Sequence, residues 1–239
     1  MNYVIFDLEF NQGNKSTNPS CPFEIIQLGA VKLDEKLNKV STFNYFIKPC
    51  IYKEINPYVQ RITGITLDMM DSAKPFEYVY KNFAEFCRDS VLVVWGTSDV
   101  KELFRNIKYY HLDMDSIPKE YINIQHYASR HFAFPKGNNI GLEKAVELFE
   151  FPLEHRFHDA FNDALYTSKV FKKILDKNIQ PVVYNIQNQS SRQKKILRKV
   201  DFKKLIEQFE KMYSRTMTTE EKSMIKLAYL MGKTNQFQS

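Results

Sequence analysis

The opening segment Tyr3-Val4-Ile5-Phe6-Asp7-Leu8-Glu9-Phe10 is apolar at every position through Phe6 and then acidic at every second one. That pattern predicts a strand buried on both faces near its start, as a central strand is, with two acids emerging on one side of its end. Ile25–Leu33 and Ser41–Ile47 predict two more strands, and the polar Asp34–Asn38 between them predicts the turn of a hairpin. Helical spacing then takes over. Val59–Met70 predicts short helical pieces broken at Thr63-Gly64, and Pro75 stands at a first helical position, opening a helix that runs to Arg88. Val91–Trp95 predicts a buried strand ended by Gly96-Thr97-Ser98, with Ser98 placed to cap a helix from Asp99 to Ile107. Ile122–Phe132 predicts a helix and Pro135–Asn139 a loop, after which Leu142, Ala145, Val146 and Phe149 recur at helical spacing. A last long helix spans Asp159 to Asp176. The order βββαβααα predicts a mixed-sheet α/β fold with helices packed on the strands.

Beyond Asn178 the character changes. Asn185–Arg192 is polar and amide-rich, the composition of a linker, and helices are expected at Phe202–Tyr213 and Glu220–Met231. Thr218-Thr219-Glu220-Glu221 has capping-box form, with Thr218 as N-cap and Glu221 at the third helical position. The chain is therefore expected to divide into a catalytic-sized domain over residues 1–180 and a helical extension over 181–239.

Charge sharpens that division. Residues 1–184 carry a net charge of −1 and residues 185–239 a net of +7, within a total of +6. A near-neutral body with a basic tail suggests a polyanionic partner, although a lysine-rich helix is also a common solvated surface. No apolar run approaches the ~20 residues needed to cross a bilayer, and no basic, apolar leader precedes the first strand, so a soluble cytoplasmic protein is expected. Cys21, Cys50 and Cys87 are widely spaced and odd in number, which suggests free thiols rather than a zinc site or a disulfide framework.

Asp7 and Glu9 lie two apart on one strand, so their side chains share a face. Paired acids at the end of an apolar strand are costly unless a cation or hydrogen bonds compensate, and hard divalent cations are bound through such oxygens. The same D-x-E also occurs where a strand merely ends in solvent. His158 and Asp163 stand just ahead of and within the start of a helix, where a loop and a helix can aim an imidazole and a carboxylate at one place. By themselves such residues are more often a surface pair. Asp99, at a helix start after a buried strand, is by itself an acid favoured by the helix dipole.

Taken together, VIFDLEF, VVWGTSDVKELF and HDAFNDALYTSKVF resemble, in order, the motifs of the DEDDh exonuclease superfamily, which includes RNase T and the proofreading subunit of bacterial replicative polymerase. The resemblance covers residues 1–177. Within it, FEIIQLGAVKLD, RITGIT, YINIQ and NIGLEKAVELF look like the KapD and RNA 3′-end-trimming branch. The resemblance implies an RNase H-like mixed sheet and a metal-dependent 3′→5′ exonuclease that removes nucleoside 5′-monophosphates from single-stranded ends, RNA favoured over DNA. It implies that Asp7, Glu9, Asp99 and Asp163 hold two divalent cations, Mg²⁺ or Mn²⁺, and that His158 is the general base, with His155 as a nearby competitor. Leu8, Phe10 and Asn11 are candidate contacts to the terminal nucleotide, with core or loop roles as the alternative. The basic stretch RQKKILRKVDFKK from Arg192 is a candidate phosphate contact. Two other functions remain open on sequence: a non-catalytic nucleic-acid-binding module on the same fold, and a phosphodiesterase for short oligonucleotides.

Overall fold

The structure is a computed structural model that describes residues 1–13, 18–135, 137–185 and 202–233. It divides into two compact units, Met1–Ile186 and Gln187–Ser239. Most of the expected linker and the basic stretch from Arg192 to Asp201 lie outside the described residues.

The first unit is built on a six-stranded sheet: β1 (Asn2–Asn11), β2 (Glu24–Leu33), β3 (Lys39–Phe46), β4 (Ser90–Val94), β5 (Glu120–Asn123) and β6 (Val182–Val183). Spatially the order is β3-β2-β1-β4-β5-β6, with β1, β4 and β5 parallel and the remaining pairs antiparallel. This is the mixed α/β sheet that the pattern predicts, with β1 in its interior. Helices α1 (Pro57–Thr63), α2 (Phe76–Phe86), α3 (Ser98–Tyr109), α4 (Ile124–His131), α5 (Leu142–Leu148) and α6 (Ala160–Ile174) complete the unit. In the second unit, α7 (Phe202–Tyr213) and α8 (Thr219–Lys233) form a helical pair. Among the described residues no helix is long and apolar enough to cross a membrane.

Strand β1 separates the two faces by residue parity. Val4, Phe6 and Leu8 join Val79 and Phe83 of α2 and Leu103 and Ile107 of α3 in one core layer. Ile5 instead joins Val31, Val93 and, on α6, Ala164 and Phe171. Burying each such side chain contributes roughly 1.5–3 kcal/mol. Because strand side chains alternate, Asp7 and Glu9 continue the Ile5 row and face the α6 layer. Strand β4 pairs with β1 from Asn2↔Ser90 as far as Ile5↔Val93, so the two acids project beyond its carboxyl end, where open α/β sheets place their ligands.

Several element boundaries differ from expectation, Pro75 among them as the N-cap of α2 rather than its first residue, with α2 ending at Phe86. Glu120–Asn123 is a strand leading directly into α4, where a helix is expected from Ile122. Ile122 is buried between β4 and the α6 layer, and pairing with Leu92–Val94 supplies the backbone partners that decide the matter. Ser98 is the first residue of α3 rather than its cap, and Thr97 precedes the helix without a side-chain bond to it. In the second unit the capping box is formed from both sides: Thr218 Oγ1 accepts the Glu221 N–H at 3.2 Å and a Glu221 carboxylate oxygen accepts the Thr218 N–H at 2.8 Å.

Candidate active site

The site grows from the meeting of β1 with the first turn of α6. Asp159 is the N-cap of α6, accepting the N–H groups of Phe161 and Asn162, each at 3.1 Å. His158 immediately precedes it, with φ 61°, a left-handed conformation uncommon for a residue with a β-carbon. That kink turns the main chain so that the His158 N–H donates to Asp163 Oδ2 at 3.1 Å. The other oxygen, Asp163 Oδ1, is buried and has no hydrogen-bond partner.

Two β2 residues on the same face as the acids bring α6 this close. Gly29 lies opposite Asp7 in the sheet register, and a Cβ there would stand 2.2 Å from the Phe161 backbone nitrogen. Only glycine lets the helix rest on the sheet at this point. Gln27 lies opposite Glu9 and is fully buried. Its Nε2 donates to Asp159 Oδ2 at 3.0 Å and to Asn44 Oδ1 at 3.2 Å, while its Oε1 accepts the Ala160 N–H at 3.2 Å. One side chain thus latches the start of α6 to the strand carrying the neighbour of Glu9.

The structure brings Glu9, His158 and Asp163 together: one ligand atom from each lies within 4.8 Å of the others. Asp7 sits among Asp99, Asp163, Glu9 and Asp159, and burial followed by these charges holds its carboxyl well above the usual range. Burial, then the Asp163 and Asp99 charges, push Glu9 up to about 8. Asp163 is raised to about 7, mainly by burial. Burial raises the Asp99 carboxyl to about 7, although the backbone of Asp99 and Leu8 acts to lower it. Converging desolvated carboxylates, one with an orphaned oxygen, are a poor arrangement for a chain left to itself and a good one for hard cations. The donor set of Asp7, Glu9, Asp99 and Asp163, all oxygen, fits Mg²⁺ or Mn²⁺.

The expected nucleotide contacts fare differently. The Leu8 side chain turns the other way, into the core layer beneath α2 and α3. Asn11 is fully buried; its Nδ2 donates to Glu54 O at 2.9 Å and its Oδ1 accepts the Asn56 N–H at 3.0 Å. These bonds engage its amide on backbone and anchor the approach to α1. Its register partner Glu24 does the same one step earlier, accepting the Ile51 and Tyr52 N–H groups at 2.8 and 3.0 Å. Phe10 is half-buried, packed edge-on against Phe23 at 6.2 Å and against the core layer that holds Leu8. His155 has its backbone clamped by the Tyr166 hydroxyl and is not in the Glu9–His158–Asp163 group.

Residues 4–171 match the exonuclease family RNase T. The chain belongs to that family. Among its relatives, the PolC-type DNA polymerase III of Caldanaerobacter subterraneus subsp. tengcongensis is 32% identical over 176 residues, covering 73% of this chain and 12% of the polymerase. The PolC-type polymerase of Streptococcus sanguinis is 34% identical over 170 residues, covering 70% of this chain and 11% of its own length. The chain thus corresponds to about an eighth of these relatives. The exonuclease domain also shares its fold with the nuclease domain of 3′hExo, a DEDDh family member bound to rAMP, at TM-score 0.66 and 21% identity, covering 77% of this chain and 96% of that one. Cell-death related nuclease 4 matches at TM-score 0.62 and 22% identity, covering 76% of this chain and 66% of that one. The mixed sheet flanked by helices is therefore the RNase H-like exonuclease fold. Sequence reasoning did not single out Gln27, Gly29 or Asn11's anchoring role. Gln27 and Gly29 alternate along β2 in phase with Glu9 and Asp7, a signal that only the β1–β2 register makes visible.

Proposed function

We propose that this exonuclease-family chain is a divalent-metal-dependent 3′→5′ exonuclease that releases nucleoside 5′-monophosphates from single-stranded ends. The observation that carries the reading is the convergence of Glu9, His158 and Asp163 within 4.8 Å, beside Asp7 and Asp99. In this reading Asp7, Glu9, Asp99 and Asp163 hold the cations. When bound, two Mg²⁺ or Mn²⁺ ions polarise the phosphoryl group and lower the pKa of an attacking water. His158, exposed at the mouth of the site on a backbone fixed by Asp163, accepts the proton of that water. The water oxygen bonds to phosphorus, the bond from phosphorus to the preceding O3′ breaks, and O3′ takes up a proton to leave a new 3′-hydroxyl. Phe10, next to Glu9 in the chain and half-buried, is the aromatic proposed to stack on the terminal base.

RNA is the proposed substrate. The KapD-like and RNA-trimming segments FEIIQLGAVKLD and NIGLEKAVELF support it, as does the shared fold with a 3′-exonuclease that recognises a histone mRNA stem-loop. DNA is the second reading, favoured by the 32–34% identity to PolC-type DNA polymerases. The three cysteines, none in a disulfide, fit a reducing cytoplasmic setting.

The test is degradation of 3′- and 5′-labelled single-stranded RNA and DNA with Mg²⁺, Mn²⁺ or EDTA, using Asp7→Asn as control. Metal-dependent loss of nucleotides from the 3′ end, faster on RNA and absent in the variant, is the expected result. Faster digestion of DNA transfers the assignment to the second reading. Binding without cleavage of either polymer, or cleavage confined to dinucleotides, rejects the proposal in favour of a binding module or a short-substrate enzyme.

A further inference from the structure

Arg156 is a cation at the rim of the site whose charge the fold does not use. The main chain that carries it is held on both sides. The Tyr166 hydroxyl accepts the His155 N–H and donates to the His155 carbonyl, both at 2.9 Å. Phe157 stacks on the Tyr166 ring at 4.8 Å between centroids. Asn162 Nδ2 donates to the carbonyl of Arg156 itself at 3.1 Å. From this fixed base the side chain crosses to the end of α1, where both terminal guanidinium nitrogens lie 2.7 Å from the place a Cβ on Gly64 would occupy. Gly64 has φ 72° and caps α1, so the missing side chain makes a berth for the guanidinium. α1 is in turn held by the Asn11 and Glu24 anchors at the end of β1 and β2.

A guanidinium seated in this way commonly caps helix carbonyls or pairs with an acid, and here it does neither. Among the described residues its nitrogens make no hydrogen bond and no ion pair, and the neighbouring acid Glu154 is committed to Lys169 at 3.1 Å. The residue is exposed. Its charge nevertheless reaches Glu9, whose carboxyl it acts to lower against the surrounding acids. An oriented planar fork of open N–H donors, close enough for its charge to reach Glu9, suits an oxyanion with two oxygens to present. Nucleic acid supplies such a group at every linkage.

We propose that Arg156 is a substrate-binding residue whose guanidinium, berthed on Gly64, grips a phosphodiester of the strand whose end enters the carboxylate site. This rests on the exonuclease reading above. A phosphate contact positions the strand without reading its sequence, so the effect of losing it is uniform across bases and dependent on salt.

The test is the salt dependence of kcat/KM on single-stranded oligonucleotides with purine and pyrimidine ends, for the native chain, Arg156→Gln and Arg156→Lys. Arg156→Gln should raise KM about tenfold at low salt, the worth of one charge-assisted hydrogen-bonded contact, with kcat affected less. The slope of log(kcat/KM) against log[salt] should flatten by about 0.7, one phosphate contact to a single strand, equally for both ends. Arg156→Lys should keep the native slope while KM stays raised, because the charge is restored and the fork is not. A native KM and slope in Arg156→Gln overturn the proposal, as does a raised KM with an unchanged slope, which would mark a packing role. If Arg156→Gln melts early, Arg156→Lys decides alone, and a native KM in it rejects the fork. An active native chain with an indifferent Arg156→Gln removes this assignment only; a native chain that cleaves nothing removes the exonuclease reading and this assignment with it.

Discussion

His158 stands at the mouth of the site with its main chain held by Asp163. It is exposed, and its backbone occupies a left-handed conformation at φ 61°, which costs on the order of 1–2 kcal/mol for an L-residue. The Asp163 carboxylate stabilises that conformation through the His158 N–H, so the imidazole is left free while its main chain is fixed. Replacing the side chain therefore leaves the carboxylates in place. His158→Ala should lose about 10²–10⁴ in rate, the usual worth of a positioned base, while keeping the native metal-induced rise in melting temperature. Single-turnover cleavage beside thermal melts checks both parts, and a variant that turns over at the native rate assigns the base elsewhere. Asn11 teaches the opposite lesson. An amide two residues beyond the acids looks like a ligand contact in sequence, but burial commits it to Glu54 and Asn56.

At the scale of elements, the site depends on how α6 meets β2. Gly29 removes the β-carbon that would collide with Phe161, and Gln27 ties the Asp159 cap and the Ala160 N–H to the strand. Gln27→Leu keeps the volume and removes the latch, leaving the buried Ala160 N–H without a partner, at a cost of about 1–3 kcal/mol. Because His158 and Asp163 lie on either side of that cap, the loss should extend beyond stability. The affinity for Mn²⁺, followed by titration calorimetry, should fall along with kcat. A variant that is destabilised but binds Mn²⁺ like the native chain would mean that α6 is positioned by Gly29 and packing alone.

For the whole molecule, the acids set how stability responds to pH. Glu9 at about 8, and Asp99 and Asp163 at about 7, all lie above their ordinary values, so the folded chain retains protons that the unfolded chain releases. The stability they allow is complete below the ordinary carboxylate range and is lost as pH rises through about 7 to 8. Glu221, held near 2 chiefly by Arg215 and the Thr218 N–H, has the opposite slope, but only below its ordinary 4.5. In EDTA the melting temperature of the exonuclease unit should therefore fall between about pH 5.5 and about pH 8. Cations that replace the protons should raise it more at the upper pH. Scanning calorimetry in EDTA, Mg²⁺ and Mn²⁺ at both values checks this, and equal melting temperatures in EDTA would show that the acids ionise without strain.

The local pattern of residues determines much of this protein. Parity along Tyr3–Phe10 places Asp7 and Glu9 on one face, helical spacing marks α2, α3 and α6, and the capping box marks the start of α8, because each is a short-range consequence of backbone geometry. The spacing of His158 and Asp163 about a helix start is visible for the same reason. Tertiary structure decides the rest. Glu120–Asn123 becomes a strand because β4 offers it a parallel edge. Asn11 and Glu24 become anchors because the loop before α1 folds back over them. Gln27 and Gly29 acquire their roles from a helix 132 residues away, and Arg156 from a glycine on α1. Such assignments depend on register and on close approach between distant segments, which no local pattern encodes.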